Sequence, residues 1–197
     1  MDLKHALAAV WRAAGQDWVA DALSVCREPR SVPARPLEPS LEAELDQTLK
    51  APKASPALRT VLDLVAENHR GWLWRSRDEF MPDTFKNAYA FVEMAGPDCP
   101  WPTDEIRMGF YLQRGHRHYP PHWHQAEEFY ILLSGWADWS IDRKEPFRPT
   151  PGEAIHHPSN MAHAMTTHDR PILTTWAWRG DLDMGSYRID GGDQDPR

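Results

Sequence analysis

The sequence predicts a mainly β protein with helices at its N-terminus, its second half folded as an antiparallel β-barrel or jelly roll. Two observations carry that expectation. Up to about Asn87 apolar residues recur every three or four positions, and beyond it every second position, the change from one face of a helix to one face of a strand. The β-branched and aromatic runs after Asn87 are also short, and Gly, Pro and Asp clusters divide them at intervals typical of sandwiches and barrels.

Residues 2–26 place Leu3, Leu7, Val10 and Trp11, then Trp18, Val19 and Leu23, on one helical stripe. SVPARPLEPS breaks the pattern with prolines. Ser40 is then expected to cap a short acidic helix running to about Lys50, and PALRTVLDLVAENH carries Leu58, Val61, Leu62 and Val65 at helical spacing. The strands are read from AYAFVEMA, IRMGFYLQR, EEFYILLSG, WADWSID, EAIHHP and ILTTWAW. The polar tail DGGDQDPR is expected to fray.

A chain of 197 residues can bury one substantial core, and one compact unit is expected. A net charge of -7 and a pI near 5.8 argue against nucleic acid or an anionic membrane as partner, since either demands a basic face. A small-molecule ligand is the expectation. Cys26 and Cys99 make neither a disulfide framework nor a zinc ribbon and are read as reduced bystanders. The start, MDLKHALAAVWRAAGQDW, has an apolar run too short for a signal peptide and interrupted by Arg12, and no stretch approaches the roughly 18 apolar residues of a membrane span. The cytoplasm is the expected compartment. The oligomeric state, a homodimer included, is left open.

Eight of the ten histidines fall between His116 and His168, a clustering that marks metal sites. In HWH, His122 and His124 are two apart, so on an extended strand both project from one face. Glu128 and Tyr130 repeat the relation on the next run. If both faces point into the barrel, two imidazoles, a carboxylate and a phenol converge. PGEAIHHPSNMAHAM offers a further ligand from elsewhere: Gly152 opens a turn, Pro158 caps a strand, and His163 begins the returning strand. Such a set suits one divalent transition metal, Fe(II), Mn(II), Co(II), Ni(II) or Zn(II). His116, His118, His156, His157 and His168 are read as rim or surface.

Gly115, His122, His124, Glu128 and Gly135 resemble the first cupin motif, and Gly152, Pro158 and His163 the second, across roughly the C-terminal 110 residues. The resemblance implies a small jelly-roll barrel in which the two histidines, the glutamate and the later histidine bind one metal. The chain then divides into 1–75, a helical region packing on the barrel, and 76–197, the metal-binding cupin barrel. There are departures: one extra residue before His122, Asn160 where glycine is usual, and Thr167 where asparagine is usual. Asparagine tolerates the left-handed backbone such a turn needs. The extra residue beside YPP bears on whether His122 reaches the metal or leaves His124 as the sole ligand of the pair.

Cupins host dioxygenases, decarboxylases, isomerases, lyases and sensors, so the surroundings of the metal have to decide. Tyr130 shares the ligand face with Glu128, and Tyr119 precedes the prolines leading to His122. A tyrosine beside a divalent cation is a candidate base, because the positive charge favours the phenolate. Trp176 and Trp178 share one strand face, with Trp123, Trp136 and Trp139 on neighbouring strands. Aromatic walls without basic residues hold onium cations, although most of these rings are expected to be core.

The helical N-terminal segment, the run Tyr119, His122, His124, Glu128, Tyr130, the later His163 and the Trp-rich last strands together resemble the bacterial cupin-type dimethylsulfoniopropionate lyases. That resemblance implies a metal-dependent carbon–sulfur lyase that cleaves a small zwitterion by β-elimination to dimethyl sulfide and acrylate. The implied metal ligands are His122, His124, Glu128, Tyr130 and His163. Tyr119 and Tyr130 are the candidate bases, and Trp178, Tyr119 and His122 the candidate substrate contacts. Either Tyr130 ligates the metal and Tyr119 is the base, or Tyr130 leaves the metal when substrate arrives. The rival readings are a cupin dioxygenase, which oxygen uptake would separate, and a non-enzymatic metal-binding sensor, which would show no turnover.

Overall fold

The computed structural model describes residues 1–50 and 54–192; the last five positions of the polar tail lie outside the described residues. Helices α1 (Leu3–Ala13), α2 (Asp17–Ser24), α3 (Pro39–Leu49) and α4 (Pro56–Asn68) come first. Strands follow as β1 (Tyr89–Gly96), β2 (Trp101–Pro102), β3 (Arg107–Gln113), β4 (His118–Trp123), β5 (Glu127–Ser134), β6 (Ala137–Ile141), β7 (Ala154–His157), β8 (His163–Thr167), β9 (Ile172–Arg179) and β10 (Arg188–Ile189). They form a six-stranded sheet in the order β2-β1-β3-β9-β5-β7 and a four-stranded sheet in the order β10-β4-β8-β6. This is the jelly-roll arrangement that the period-2 runs predict.

The stripe read over residues 2–26 is two helices rather than one. Gly15 takes φ +75°, a left-handed conformation open to glycine at little cost, and the chain turns there. The apolar positions survive the break, because Leu7, Val10, Trp11, Val19 and Leu23 are all buried. Ser40 is not a cap either. Pro39 occupies the first helical position, where its fixed φ and missing N–H fit, so Ser40 lies inside α3 and its hydroxyl instead accepts from Arg114 Nη2 at 2.6 Å. Ser55 caps α4 by accepting from the Leu58 N–H.

Helices and the larger sheet share one core. Alternate residues of each long strand, Val92, Phe110, Ile131 and Leu173 among them, pack with Leu7, Trp11, Leu45 and Leu62 of the helices. The residues between them, such as Tyr89, Tyr111, Tyr130 and Trp176, face the smaller sheet and meet Tyr119, Trp139, Met165 and Ile189. A sheet covered on both faces carries little polar alternation. That is why β5 and β9 read as nearly continuous apolar runs. Turns of the motif segments need left-handed backbone: Gly135 has φ +85°, with a Cβ there only 2.1 Å from the Pro171 carbonyl oxygen, Gly152 has φ +96°, and Asn160 has φ 59°. No helix among the described residues is long and apolar enough to cross a membrane.

Candidate active site

Strand register assembles the site between the sheets. On the larger sheet Glu128 stands opposite Trp178 of β9 on one side and His157 of β7 on the other, while Tyr130 pairs with Trp176. On the smaller sheet His122 of β4 pairs with His163 of β8, and His124 follows β4 directly. Between them lies a cavity of about 390 Å³. All five tyrosines of the chain line it.

His124, Glu128 and His163 each offer a ligand atom, all within 4.8 Å of one another, and all three side chains are buried. The imidazoles are set for coordination by what holds their other nitrogen. His124 Nδ1 lies 2.9 Å from the Ala126 carbonyl, and His163 Nδ1 lies 3.0 Å from the Met161 carbonyl. A carbonyl only accepts, so Nδ1 carries the proton and, in the neutral ring, Nε2 is a bare lone pair. Both Nε2 atoms are buried without a hydrogen-bond partner, and they lie 3.4 and 3.2 Å from Glu128 Oε2. Orphaned buried acceptors facing a carboxylate are costly unless positive charge enters between them. The group therefore fits a metal ion, and further residues hold its ligands in place.

One residue that holds a ligand differs from its reading in the sequence. His157, expected at the rim or surface, is fully buried, and its Nδ1–H donates to Glu128 Oε2 at 2.9 Å. Burial and the neighbouring His163 push its pKa down to about 3, so the ring is neutral. His156, one residue earlier, is exposed. Ile155 is buried on the same face as His157, and the period of two from that residue is the signal that separates the adjacent histidines. His116 and His118 are exposed and His168 is partly buried.

His122 stands beside the three-residue group without joining it. The register of β4 against β8 shifts between Tyr119 and His122, at Pro120 and Pro121, where the sequence carries its extra residue. The His122 ring is buried, its Nδ1–H donates to the Pro120 carbonyl at 2.9 Å, and its centroid is 4.1 Å from that of His163. Burial, then His163, holds its pKa well below the ordinary histidine value.

The tyrosines divide by what their hydroxyls meet. Tyr111 donates to Gln113 Oε1 at 2.8 Å, and Tyr89 accepts from the Arg77 N–H at 2.8 Å. Tyr119 is stacked between Phe85 and His122, at centroid distances of 4.5 and 3.9 Å. Its hydroxyl lies 2.6 Å from that of Tyr187. Tyr130 makes no side-chain hydrogen bond to any described residue. Burial first, then the Glu128 charge, raises the Tyr130 pKa well above the ordinary phenol value, and burial does the same to Tyr119.

Trp178 lines the cavity as expected, but its indole edge is committed, because Nε1–H donates to Glu128 Oε1. Its ring lies 4.1 Å from that of His124. Of the other tryptophans on these strands, Trp176 lines the cavity, Trp139 is core, and Trp136 stacks on His168 away from it. The wall is not free of basic residues. Arg75, Arg77 and Arg107 also line the cavity, with Arg107 paired to Glu93 at 3.0 Å. Sequence reasoning also passed over Tyr89 and Tyr111, which a period of two along β1 and β3 would place inward, and Tyr187, for which no pattern gave a signal.

Comparison with known proteins converges on one family. The sequence profile described as dimethylsulfoniopropionate lyase matches residues 18–174. The dimethylsulfoniopropionate lyase DddQ of Ruegeria pomeroyi is 34% identical over 99 residues, 50% of this chain, and that match spans only 49% of the relative's length. Among solved structures, one described as the dimethylsulfoniopropionate lyases RdDddP and RnDddQII superposes with a TM-score of 0.76 at 26% identity over 95% of both chains. DddQ from Ruegeria pomeroyi DSS-3 shares the fold, with a TM-score of 0.73 at 23% identity over 95% of both chains. With His124, Glu128 and His163 all inside the span matched by the profile, the chain belongs to the dimethylsulfoniopropionate lyase family.

Proposed function

We propose that the protein is a metal-dependent carbon–sulfur lyase that cleaves dimethylsulfoniopropionate by β-elimination into dimethyl sulfide and acrylate. The observation that carries the reading is the juxtaposition in one cavity of a buried His124, Glu128, His163 group with orphaned Nε2 atoms and five tyrosines. The ligands are His124, Glu128 and His163, with His122 and Tyr130 beside them as further candidates, and the donor set suits Fe, Zn, Mn, Co or Ni in the divalent state. Bound there, a divalent cation supplies positive charge that offsets Glu128, favours an adjacent phenolate and stabilises charge developing on the substrate carboxylate.

The chain's own residues supply the rest. A phenolate of Tyr119 or Tyr130 accepts the α-proton. The electron pair of that C–H bond becomes the C=C bond of acrylate, and the pair of the C–S bond leaves on sulfur as neutral dimethyl sulfide. Tyr130 is placed for this by its uncommitted hydroxyl, and Tyr119 by its fixed ring over His122. The faces of Trp176, Trp178 and Tyr111 form the wall against which the sulfonium rests. Arg75 and Arg77 at the same cavity favour the carboxylate end of the zwitterion.

The test is direct. Protein loaded with Fe(II), Zn(II) or Mn(II) and given dimethylsulfoniopropionate should release dimethyl sulfide to the headspace and an equal amount of acrylate to solution, without consuming oxygen, and chelator-stripped protein should not. Absence of both products with every metal would sink the lyase reading. Oxygen uptake coupled to turnover would replace it with an oxygenase.

A further inference from the structure

We propose that Tyr187, carried into the cavity by the C-terminal segment, is a positioning residue whose hydroxyl fixes that of Tyr119 for its encounter with substrate. The inference rests on the lyase reading and on Tyr119 acting in it. Three features of the molecule support it.

The segment from Leu182 to Asp190 is tied to both sheets. Arg107 Nε donates to the Leu182 carbonyl at 2.9 Å, the Gln125 N–H donates to Ser186 Oγ at 3.1 Å, β10 pairs with Trp123 and His122 of β4, and Arg143 meets Asp190 at 2.8 Å. A tail held this firmly presents its side chains in one place. Asp183, Met184 and Tyr187 of this segment line the cavity.

The Tyr119 ring has little freedom left, because Phe85 and His122 stack on it at interplanar angles of 8° and 15°. What remains undetermined is the torsion of its hydroxyl, and the Tyr187 hydroxyl at 2.6 Å is its hydrogen-bond partner among the described residues. A Tyr119 phenolate can only accept, so Tyr187 then donates to it and sets the direction of the lone pair left for the substrate proton.

Both hydroxyl-bearing rings are buried, at 6% and 9% exposure, so bulk water does not readily substitute for the lost partner. A phenyl ring at position 187 preserves the packing and removes only the hydrogen bond. The effect on the reaction can therefore be separated from the effect on the fold.

The experiment is a double-mutant cycle on elimination, with Tyr119→Phe, Tyr187→Phe and the double variant in the metal-loaded protein, scored for kcat and KM together with metal content and thermal midpoint. Tyr187→Phe is expected to lower kcat about 10- to 100-fold, the scale of one hydrogen bond to a charged group, with KM and metal content nearly unchanged. Added to Tyr119→Phe it should cost nothing further, since its effect passes through the hydroxyl already removed. Ile189→Ala loosens the same segment and keeps the hydroxyl, so it measures the purely structural contribution. Losses equal to those of Ile189→Ala, or an undiminished loss in the Tyr119→Phe background, overturn the proposal. Normal turnover by Tyr119→Phe alone also overturns it while leaving the lyase reading intact, whereas a wild-type protein that releases no dimethyl sulfide defeats both.

Discussion

His157 and Glu128 face each other across the β5–β7 pair, and the His157 Nδ1–H donates to Glu128 Oε2 over 2.9 Å. With Trp178 Nε1–H on Oε1, each oxygen of the carboxylate has one protein donor, so its plane is fixed before any cation arrives. A ligand oriented in this way binds metal more tightly than one free to rotate, and loss of such a partner typically costs 10- to 100-fold in affinity. His157→Ala is expected to weaken metal binding on that scale, read by competition with a chromophoric chelator. His157→Gln, which keeps an N–H donor, should lose less.

Trp178 permits a test of edge against face. Trp178→Phe removes the donor to Glu128 and keeps an aromatic ring toward the cavity. If the indole edge matters through Glu128, metal affinity falls by about 10-fold while the ratio of sulfonium-substrate to acrylate binding stays near its normal value. A preserved metal affinity combined with selective loss of the sulfonium compound, measured by calorimetry, would assign Trp178 to the cation wall alone.

Much of this site was legible in the sequence because it is local. HWH, Glu128 and His163 are read from spacing alone, and strand periodicity correctly turns Tyr130 to the side of Glu128. What escaped depends on long-range register. His156 and His157 are adjacent and chemically identical, and within so short a strand Ile155 is the one apolar residue from which a period of two can be counted, before the pairing of β7 with β5 turns His157 inward. Tyr187 comes from a tail with no periodicity, ordered by contacts with Arg107, Gln125 and Arg143 that lie far from it in sequence. Arg75 and Arg77 precede the first long strand, and nothing in their neighbourhood says that they return to the cavity. The helical half was legible in its stripes and not in its boundaries, since a lone Gly15 broke one helix into two.

The β4 register shifts at the proline step, and His122 and His124 are expected to differ on substitution. His124→Ala, Glu128→Ala and His163→Ala are each expected to strip most of the metal and lower turnover more than about 100-fold, with the loss visible in both metal analysis and product release. His122→Ala should keep most of its metal, since its ligand atom stands outside the close group, and should lose turnover through the displaced Tyr119 ring that stacks on it at 3.9 Å. Equal metal loss in all four variants would return His122 to the coordination sphere.

Tyr130 and Tyr119 differ in a way that predicts different behaviour on loss of the hydroxyl. The Tyr130 side chain leaves the same face of β5 as Glu128, two residues along, and has no side-chain hydrogen-bond partner among the described residues, whereas Tyr119 is tied to Tyr187 at 2.6 Å. A hydroxyl without a protein partner is free to meet either the cation or the substrate. Tyr130→Phe is therefore expected to lower turnover by the roughly 100- to 10,000-fold of a lost general base, and also to change the absorption spectrum of Fe(III)- or Co(II)-loaded protein if the phenolate ligates. Tyr119→Phe should lower turnover with the metal spectrum unchanged. A silent Tyr119→Phe beside an inactive Tyr130→Phe with normal metal content would make Tyr130 the base. If both variants eliminate dimethyl sulfide at near-normal rates, proton removal by tyrosine is wrong, and Glu128 becomes the next candidate base.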